Sequence, residues 1–268
     1  MARRPVCLTI AGTDSGGGAG LSADLATFAA HGVWGALAVA GVTAQDTRVV
    51  HRADAMDPAL VRAQIEAVVG DIGVDAAKTG MLANAEIVSV VAACVRDLSI
   101  GRIVVDPVLA ATGGGALLEP DAVGALLEGL VPLATVLTPN GPEAAALTGI
   151  TVDSHAAAEE AGRALLAIGA KAVLVKGGHL DLGDGRAADC LLVAGEAPLW
   201  FDGPRLDVTT THGTGCVLSA AITARLARGE GLVDAVGAAK AFVVAAMRAG
   251  RTLGGGAGVL DPSAVGPC

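Results

Sequence analysis

Short apolar stretches alternate with amphipathic helical segments along nearly the whole chain, and this alternation limits the possible folds more than any other feature. Strands are expected at 6–12 (VCLTIAG), 35–43, 75–79, 102–106 (RIVVD), 134–138 (ATVLT) and 172–176 (AVLVK), with weaker ones near 190–194 and 198–201. Helical periodicity falls between them, at 20–31, 58–71, 84–97, 120–129, 141–148 and 155–168, and continues at 215–228 and 232–249. Strands separated by helices pair side by side in one direction, which predicts an α/β fold with a central, mainly parallel sheet flanked by helices on both faces. The closely spaced strands of 190–210 predict an antiparallel edge. No repeat, low-complexity tract or linker breaks the pattern, so we expect a single domain over 1–268.

A sheet buried on both faces needs apolar bulk that packs closely. Apolar residues make up 53% of the chain, 38 residues are glycine and only five are aromatic. One stretch, Leu25 to Ala44, carries no formal charge over a membrane-spanning length. Its period changes at His31-Gly32 from helical to strand-like, and Gly32 suits a helix C-cap, so it reads as helix, turn and strand. A net charge of −9 with no basic run argues against a nucleic-acid surface. A phosphorylated ligand would then be held by local amides and a metal. The five cysteines (Cys7, Cys94, Cys190, Cys216 and Cys268) are odd in number and form no CxxC, which points away from disulfide or zinc frameworks and toward a reducing setting. MARRPV runs straight into an apolar strand with no signal-peptide core. The expectation is a cytoplasmic protein with neither nucleic acid nor membrane as partner.

In such sheets ligands bind at the carboxyl ends of the strands. The polar residues and glycines cluster there: AGTDSGGGAG, TAQDT, KTGM, DPVLAATGGG, TPNGPE and KGGH. Gly18-x-Gly20-x-x-Ala23 matches a loose dinucleotide fingerprint, which is weak in so glycine-rich a chain, and the lack of any Gly-Lys pair excludes a Walker A loop. Asp24, four residues past Gly20, fits either a solvated helix face or a ligand contact. Gln45 and Asp46 can be turn residues, or can offer donors and acceptors to a small polar ring. Asp106 ends the strongest β run, where a carboxylate suits Mg²⁺ or its waters. Asn140 with Glu143 reads as a capping pattern that still leaves Glu143 toward the same edge. Lys176 is one of only four lysines, against fourteen arginines, and its place at a strand end beside two glycines favours a phosphate contact. His179 and His212 read as loop or packing residues, and Met81 as core.

The stretch THGTGCVLSAAITARLARG, 211–229, opens as a glycine turn and continues as a helix. The first N–H groups of a helix lack intrahelical partners and make an anion site, which Gly213, Thr214 and Gly215 would let a phosphate approach. Cys216 is either a small apolar plug or a group aimed at that phosphate. A helix N-terminus lowers a thiol pKa from about 8.5, so a thiolate near neutral pH is an expectation to test.

The motifs LTIAGTDSGGGAGLSADL, GVTAQDT, KTGML, DPVLAATGGGALL, TPNGPEAAALTG, VLVKGGH and THGTGCVLSAA, in this order, resemble the hydroxymethylpyrimidine/phosphomethylpyrimidine kinases of thiamine biosynthesis, within the ribokinase-like superfamily. The resemblance runs from about residue 6 to about residue 245. It implies a ribokinase-like fold and transfer of the ATP γ-phosphoryl group to 4-amino-5-hydroxymethyl-2-methylpyrimidine, then a second phosphorylation to the pyrophosphate. It implies that Gln45, Asp24, Met81 and the backbone around Gly12, Ala19 and Thr43 hold the pyrimidine. Asp106, Asn140, Glu143, Lys176, Thr211 and Gly213 would serve ATP, with Asp106 and Glu143 toward Mg²⁺. Gly213, Gly215, Cys216 and Lys176 would be catalytic, with the Gly213–Cys216 turn as anion hole and Cys216 as general base. A homodimer is expected. Gly113 and Gly115 depart from the family pattern, as does the C-terminal LGGGAGVLDPSAVGPC. Some pyridoxal kinases share the GTGC loop, so a pyridoxal kinase remains the alternative, and a non-catalytic vitamin-binding protein a further one.

Overall fold

In a computed structural model, which describes residues 3–110, 117–119, 121–180 and 185–266, the expected alternation is present. Strand β1 (Val6–Gly12) leads to α1 (Gly20–Ala30), β2 (Trp34–Gln45), β3 (Val50–Ala55) and α2 (Pro58–Asp71). There follow β4 (Ala76–Thr79), α3 (Ala85–Asp97), β5 (Ile103–Val105), α4 (Ala122–Ala125) and β6 (Val136–Leu137). The second half holds α5 (Gly141–Thr148), α6 (His155–Ile168), β7 (Ala172–Val175), β8 (Asp189–Val193), β9 (Leu199–Phe201), β10 (Thr210–His212), α7 (Thr214–Ala227), α8 (Leu232–Ala249) and β11 (Gly258–Val259). One sheet has the order β3-β2-β1-β4-β5-β6-β7-β8-β9, and β10 pairs with β11 separately.

The six strands from β2 to β7 in that order run parallel, and β8 and β9 form the expected antiparallel edge. A second antiparallel edge, β2 with β3, was not expected from the sequence. The reason is visible in VHRADA: it is exposed or half-exposed along its length and carries no alternating apolar pattern to read. The 120–129 helix also differs. Residue 120 lies outside the described residues, α4 is one turn, and the backbone widens to a π turn over Leu126–Leu130 before tightening at Val131–Leu133, where Pro132 breaks the α ladder. Gly113 and Gly115 also lie outside the described residues.

Burial on both faces follows from the alternation of β1. Leu8 and Ile10 face one core, built with Val61 and Ile65 of α2, Ile87 and Val91 of α3, and Leu165 of α6. Cys7 faces the other, with Phe28 of α1, Val217 and Ile222 of α7, and Phe242 of α8. Leu25–Ala44 is helix, turn and strand, with Gly32 at φ +69°, and among the described residues no helix is long and apolar enough to cross a membrane. The packing brings the N-termini of α1 and α7 together at the carboxyl ends of β1, β4 and β5, with the loop after β7 beside them.

Candidate active site

Neither α1 nor α7 has a side-chain cap at its N-terminus. Gly213, at φ +91°, caps α7, and a Cβ there would run into the Gly18 carbonyl. Only glycine permits this backbone and this approach. The two glycine turns therefore lie against each other. At α7 no side chain caps the first N–H groups, the condition for holding an anion, whereas at α1 the Ala19 N–H goes to Asp14 and the Gly20 N–H to Cys216.

A cluster of buried charge adjoins the α7 turn. Lys176 Nζ lies 3.0 Å from Asp106 Oδ1 and 3.6 Å from Glu143 Oε2. A Cβ on Gly215 would sit 3.3 Å from Lys176 Nζ and 3.6 Å from Asp106 Oδ2, so the anion turn and the lysine share one space. Asp106 also accepts from Thr138 Oγ1 at 3.1 Å and from Ser219 Oγ at 3.2 Å. Burial pushes the Asp106 carboxyl up, but Lys176, Lys78 and the Thr138 hydroxyl outweigh it and hold it below the usual range. Glu143 goes the other way: burial and the Asp106 charge raise it against the pull of Lys176. Burial alone would lower Lys176, and its two carboxylates push it well up, so it stays an ammonium. Asn140 and Glu143 form the capping box, with bonds of 2.7 and 2.8 Å. Asn140 also bridges to Lys176 across the strand ends. The capping reading of Glu143 is therefore met, and the same carboxylate lies beside Lys176.

The other end of the crevice lies around β1 and β2. Met81 fills the space beside Gly12, where a Cβ would come within 2.8 Å of its sulfur, and beside Gly41. Gln45 is anchored by its backbone, its N–H donating to Ser15 Oγ at 2.7 Å and its carbonyl accepting from the same hydroxyl at 2.8 Å. Thr43 is tied to Thr13, and Ala19 donates its N–H to Asp14 Oδ2 at 2.9 Å. Thr211 is exposed on β10 next to His212.

Two expectations are corrected. Asp24 does not face the crevice: it is fully buried, as is Lys78, whose Nζ contacts its two oxygens at 2.8 and 2.9 Å, while Thr9 Oγ1 donates to it at 2.6 Å. Both the solvated-face and the ligand-contact readings therefore fail here, because a lysine from β4, invisible to a local reading of α1, claims the carboxylate. The Cys216 thiolate is also corrected. The Gly20 N–H and Lys78 favour the anion, but burial with Asp24 and Asp106 pushes the thiol up to about 11. At neutral pH this is a thiol. Its alkylation by iodoacetamide is expected to be slow at pH 7 and to climb from pH 9 to 11, and Cys216→Ala to cost no more than about 10²-fold in kcat, the low end of general-base contributions. A profile with its midpoint near pH 7, read by mass spectrometry, would restore the thiolate.

Sequence reasoning missed Asp14, Lys78, Thr138 and Ser219. Ser219 was readable, since it stands one helical turn after Gly215 on the face that α7 turns toward Asp106.

Residues 14–261 match the family described as phosphomethylpyrimidine kinase. A hydroxymethylpyrimidine/phosphomethylpyrimidine kinase of Haemophilus influenzae is 46% identical over 252 residues, covering 94% of each chain. The fold is similar to a Bacillus subtilis pyridoxal kinase solved as an ADP complex (TM-score 0.91, 37% identity, 98% of this chain and 99% of that one). It is similar too to a phosphomethylpyrimidine kinase of Clostridium difficile 630 (TM-score 0.79, 37% identity, 91% and 100%). With its uncapped glycine turns, its buried lysine–carboxylate cluster and these relatives, the chain belongs to the phosphomethylpyrimidine kinase family.

Proposed function

We propose that the crevice transfers the γ-phosphoryl group of ATP to the hydroxymethyl group of 4-amino-5-hydroxymethyl-2-methylpyrimidine, and then phosphorylates the monophosphate to the pyrophosphate. The observation that carries this reading is the shared space of Gly215 and Lys176, which sets an uncapped helix N-terminus and an ammonium at one point. Phosphoryl transfer passes through a loose transition state, so positioning and charge stabilisation matter more than a strong base. The α7 amides and Lys176 would receive the transferring group, Asn140 and Thr211 would adjoin the nucleotide, and Gln45, Met81, Gly12, Ala19 and Thr43 would hold the ring. A neutral Cys216 beside the acceptor hydroxyl is compatible with late loss of that proton.

Among the described residues no group of three or more His, Cys, Asp or Glu side chains forms a metal cage. Asp106 and Glu143 instead converge on one ammonium, a donor set that fits Mg²⁺ when phosphates and water complete its shell. Bound there, the ion offsets charge on the phosphates.

A pyridoxal substrate is the second reading, favoured by the near-complete overlap with the Bacillus subtilis pyridoxal kinase. Mass spectrometry of products formed with Mg-ATP from the pyrimidine, its monophosphate and pyridoxal decides between them. The expected result is pyrimidine monophosphate followed by pyrophosphate. Product from pyridoxal alone replaces the first reading by the second, and no product from any acceptor overturns both.

We also read the chain as one domain over 1–268, since a single sheet takes strands from Val6 through Phe201. We propose a homodimer through the β2–β3 edge, where Trp34, Leu37 and Val42 are exposed, and a lone monomer in sedimentation velocity would remove it. The unpaired Cys7, Cys94, Cys190 and Cys216 support a cytoplasmic location, which cell fractionation tests.

A further inference from the structure

Asp14 and His212 come from different ends of the chain and meet beside Gln45, although neither has a part in the transfer step. Asp14 is 5% exposed and each of its oxygens is claimed. Oδ1 accepts from the Gly16 N–H at 2.8 Å, and Oδ2 accepts from the Ala19 N–H at 2.9 Å and from His212 Nε2 at 2.8 Å. Burial pushes the carboxyl up, but the ring and the two backbone N–H groups hold it below its ordinary range, so it acts as an acceptor only. His212 Nε2 must therefore carry a hydrogen, because a bare ring nitrogen at 2.8 Å would set lone pair against lone pair.

That assignment fixes Gln45. Its carboxamide lies 3.5 Å from the same His212 nitrogen and, on its other side, 3.5 Å from Thr43 Oγ1. Thr43 has one hydroxyl proton and donates it to the Thr13 carbonyl at 2.8 Å, so toward Gln45 it can only accept. His212 Nε2 spends its one hydrogen on Asp14 and keeps no free lone pair, so toward Gln45 it cannot accept. Both neighbours make the same demand: the amide oxygen belongs on the His212 side and the NH₂ on the Thr43 side. The two ends of an amide have the same shape, and only the surrounding donors and acceptors distinguish them. As placed, Nε2 faces His212 and Oε1 faces Thr43; exchanging them gives Thr43 Oγ1 a donor and no longer sets an N–H against the His212 N–H. At 3.5 Å these contacts orient the amide more than they bind it.

We propose that the Asp14–His212 pair is a positioning device that fixes the donor–acceptor order of the Gln45 carboxamide, and through it selects an aminopyrimidine over a ring presenting the reverse order. The inference rests on the function proposed above. A 4-aminopyrimidine offers an acceptor ring nitrogen beside a donor amino group. The 4-oxo analogue offers a donor ring N–H beside an acceptor oxygen. With the hydroxymethyl group held at the anion turn, the ring cannot turn over to compensate, so the order of the amide decides which ring fits.

The test is calorimetric titration, without nucleotide, of the 4-amino and 4-oxo forms of 5-hydroxymethyl-2-methylpyrimidine into the wild-type chain, His212→Phe and Asp14→Asn. His212→Phe keeps a ring but removes the N–H. Asp14→Asn leaves one acceptor oxygen for the three donors Gly16, Ala19 and His212, so the ring loses the carboxylate that fixes its tautomer. The expected result is a preference for the amino form that falls about tenfold in each variant, with the KM for ATP near the wild-type value. If His212→Phe fails to fold, Asp14→Asn carries the test alone. An unchanged preference, or equal loss of affinity for both rings, makes the pair merely structural and overturns the proposal. A wild-type chain that binds pyridoxal and neither pyrimidine overturns the function reading itself, a result distinct from either of those.

Discussion

Lys176→Met is expected to lower kcat by on the order of 10²–10³-fold, the loss found when one preorganised charge or donor is taken from a transition state. Pyrimidine binding measured without nucleotide should stay near wild type, because Lys176 lies with Asp106, Glu143 and Gly215, away from Met81 and Gln45. The substitution also leaves two buried carboxyls beside each other with no cation from this side chain between them. Removing one partner of a buried pair costs about 3–5 kcal/mol, part of which returns if a carboxyl takes up a proton. The sign of the pH dependence follows. In the wild type Asp106 is held low, so its stabilisation is present above its unfolded value and lost as pH falls through its folded value. Without Lys176 the folded values of Asp106 and Glu143 both rise. The folded variant then binds protons more strongly than its unfolded chain, and it loses stability as pH climbs through those raised values. The gap in Tm between wild type and variant should widen from pH 5 to pH 8. Equal loss of pyrimidine affinity and turnover would move Lys176 into the acceptor pocket, and a gap that narrows with rising pH would break the electrostatic account.

Asp24→Asn should produce the largest stability defect with the smallest effect on ligand recognition. Asp24 and Lys78 are both 0% exposed, and the carboxylate is the only ion-pair partner at contact distance to Lys78 among the described residues. Burial pulls the Lys78 ammonium down, and Asp24, with Cys216 and Asp106 behind it, more than offsets this. Asparagine preserves shape and the Thr9 contact but removes the charge. The expected loss is about 3–5 kcal/mol, a large part of the roughly 5–15 kcal/mol that holds a domain together. In the variant the folded pKa of Lys78 falls below its unfolded value of about 10.4, so the unfolded chain binds more protons between those two values. Stability of the variant should therefore rise from pH 8 to pH 10, which thermal denaturation across that range would reveal. The double change Asp24→Leu with Lys78→Met should recover most of the loss, since a buried ion pair replaced by apolar side chains is often neutral. A folded Asp24→Asn enzyme with normal Tm and weakened pyrimidine binding would return Asp24 to the substrate site.

These two lysines show where the reading of the sequence stopped. Lys176 stood out because lysine is rare in this chain and because two glycines follow it at a strand end. Lys78 is equally rare and also ends a strand, but its partner lies 54 residues earlier on another element, and nothing local marks the pair. Asp24 was misread for the same reason. The β2–β3 hairpin was missed because its outer strand is polar on both faces, so no alternation betrays it. The capping box of Asn140 and Glu143 is local chemistry and was legible as written.

The sequence by itself determined the six parallel strands and their alternation with helices, the covering of that sheet on both faces and the gathering of polar loops at one edge. Each of these depends on hydrophobic period, turn residues and caps, which act over a few residues. Tertiary structure alone decided the charge state of Cys216, the burial of Asp24 and the meeting of Asp14, His212 and Gln45. Those depend on which distant groups share a low-dielectric space, where a neighbour at 3 Å or a lost layer of water outweighs the bias of a helix end.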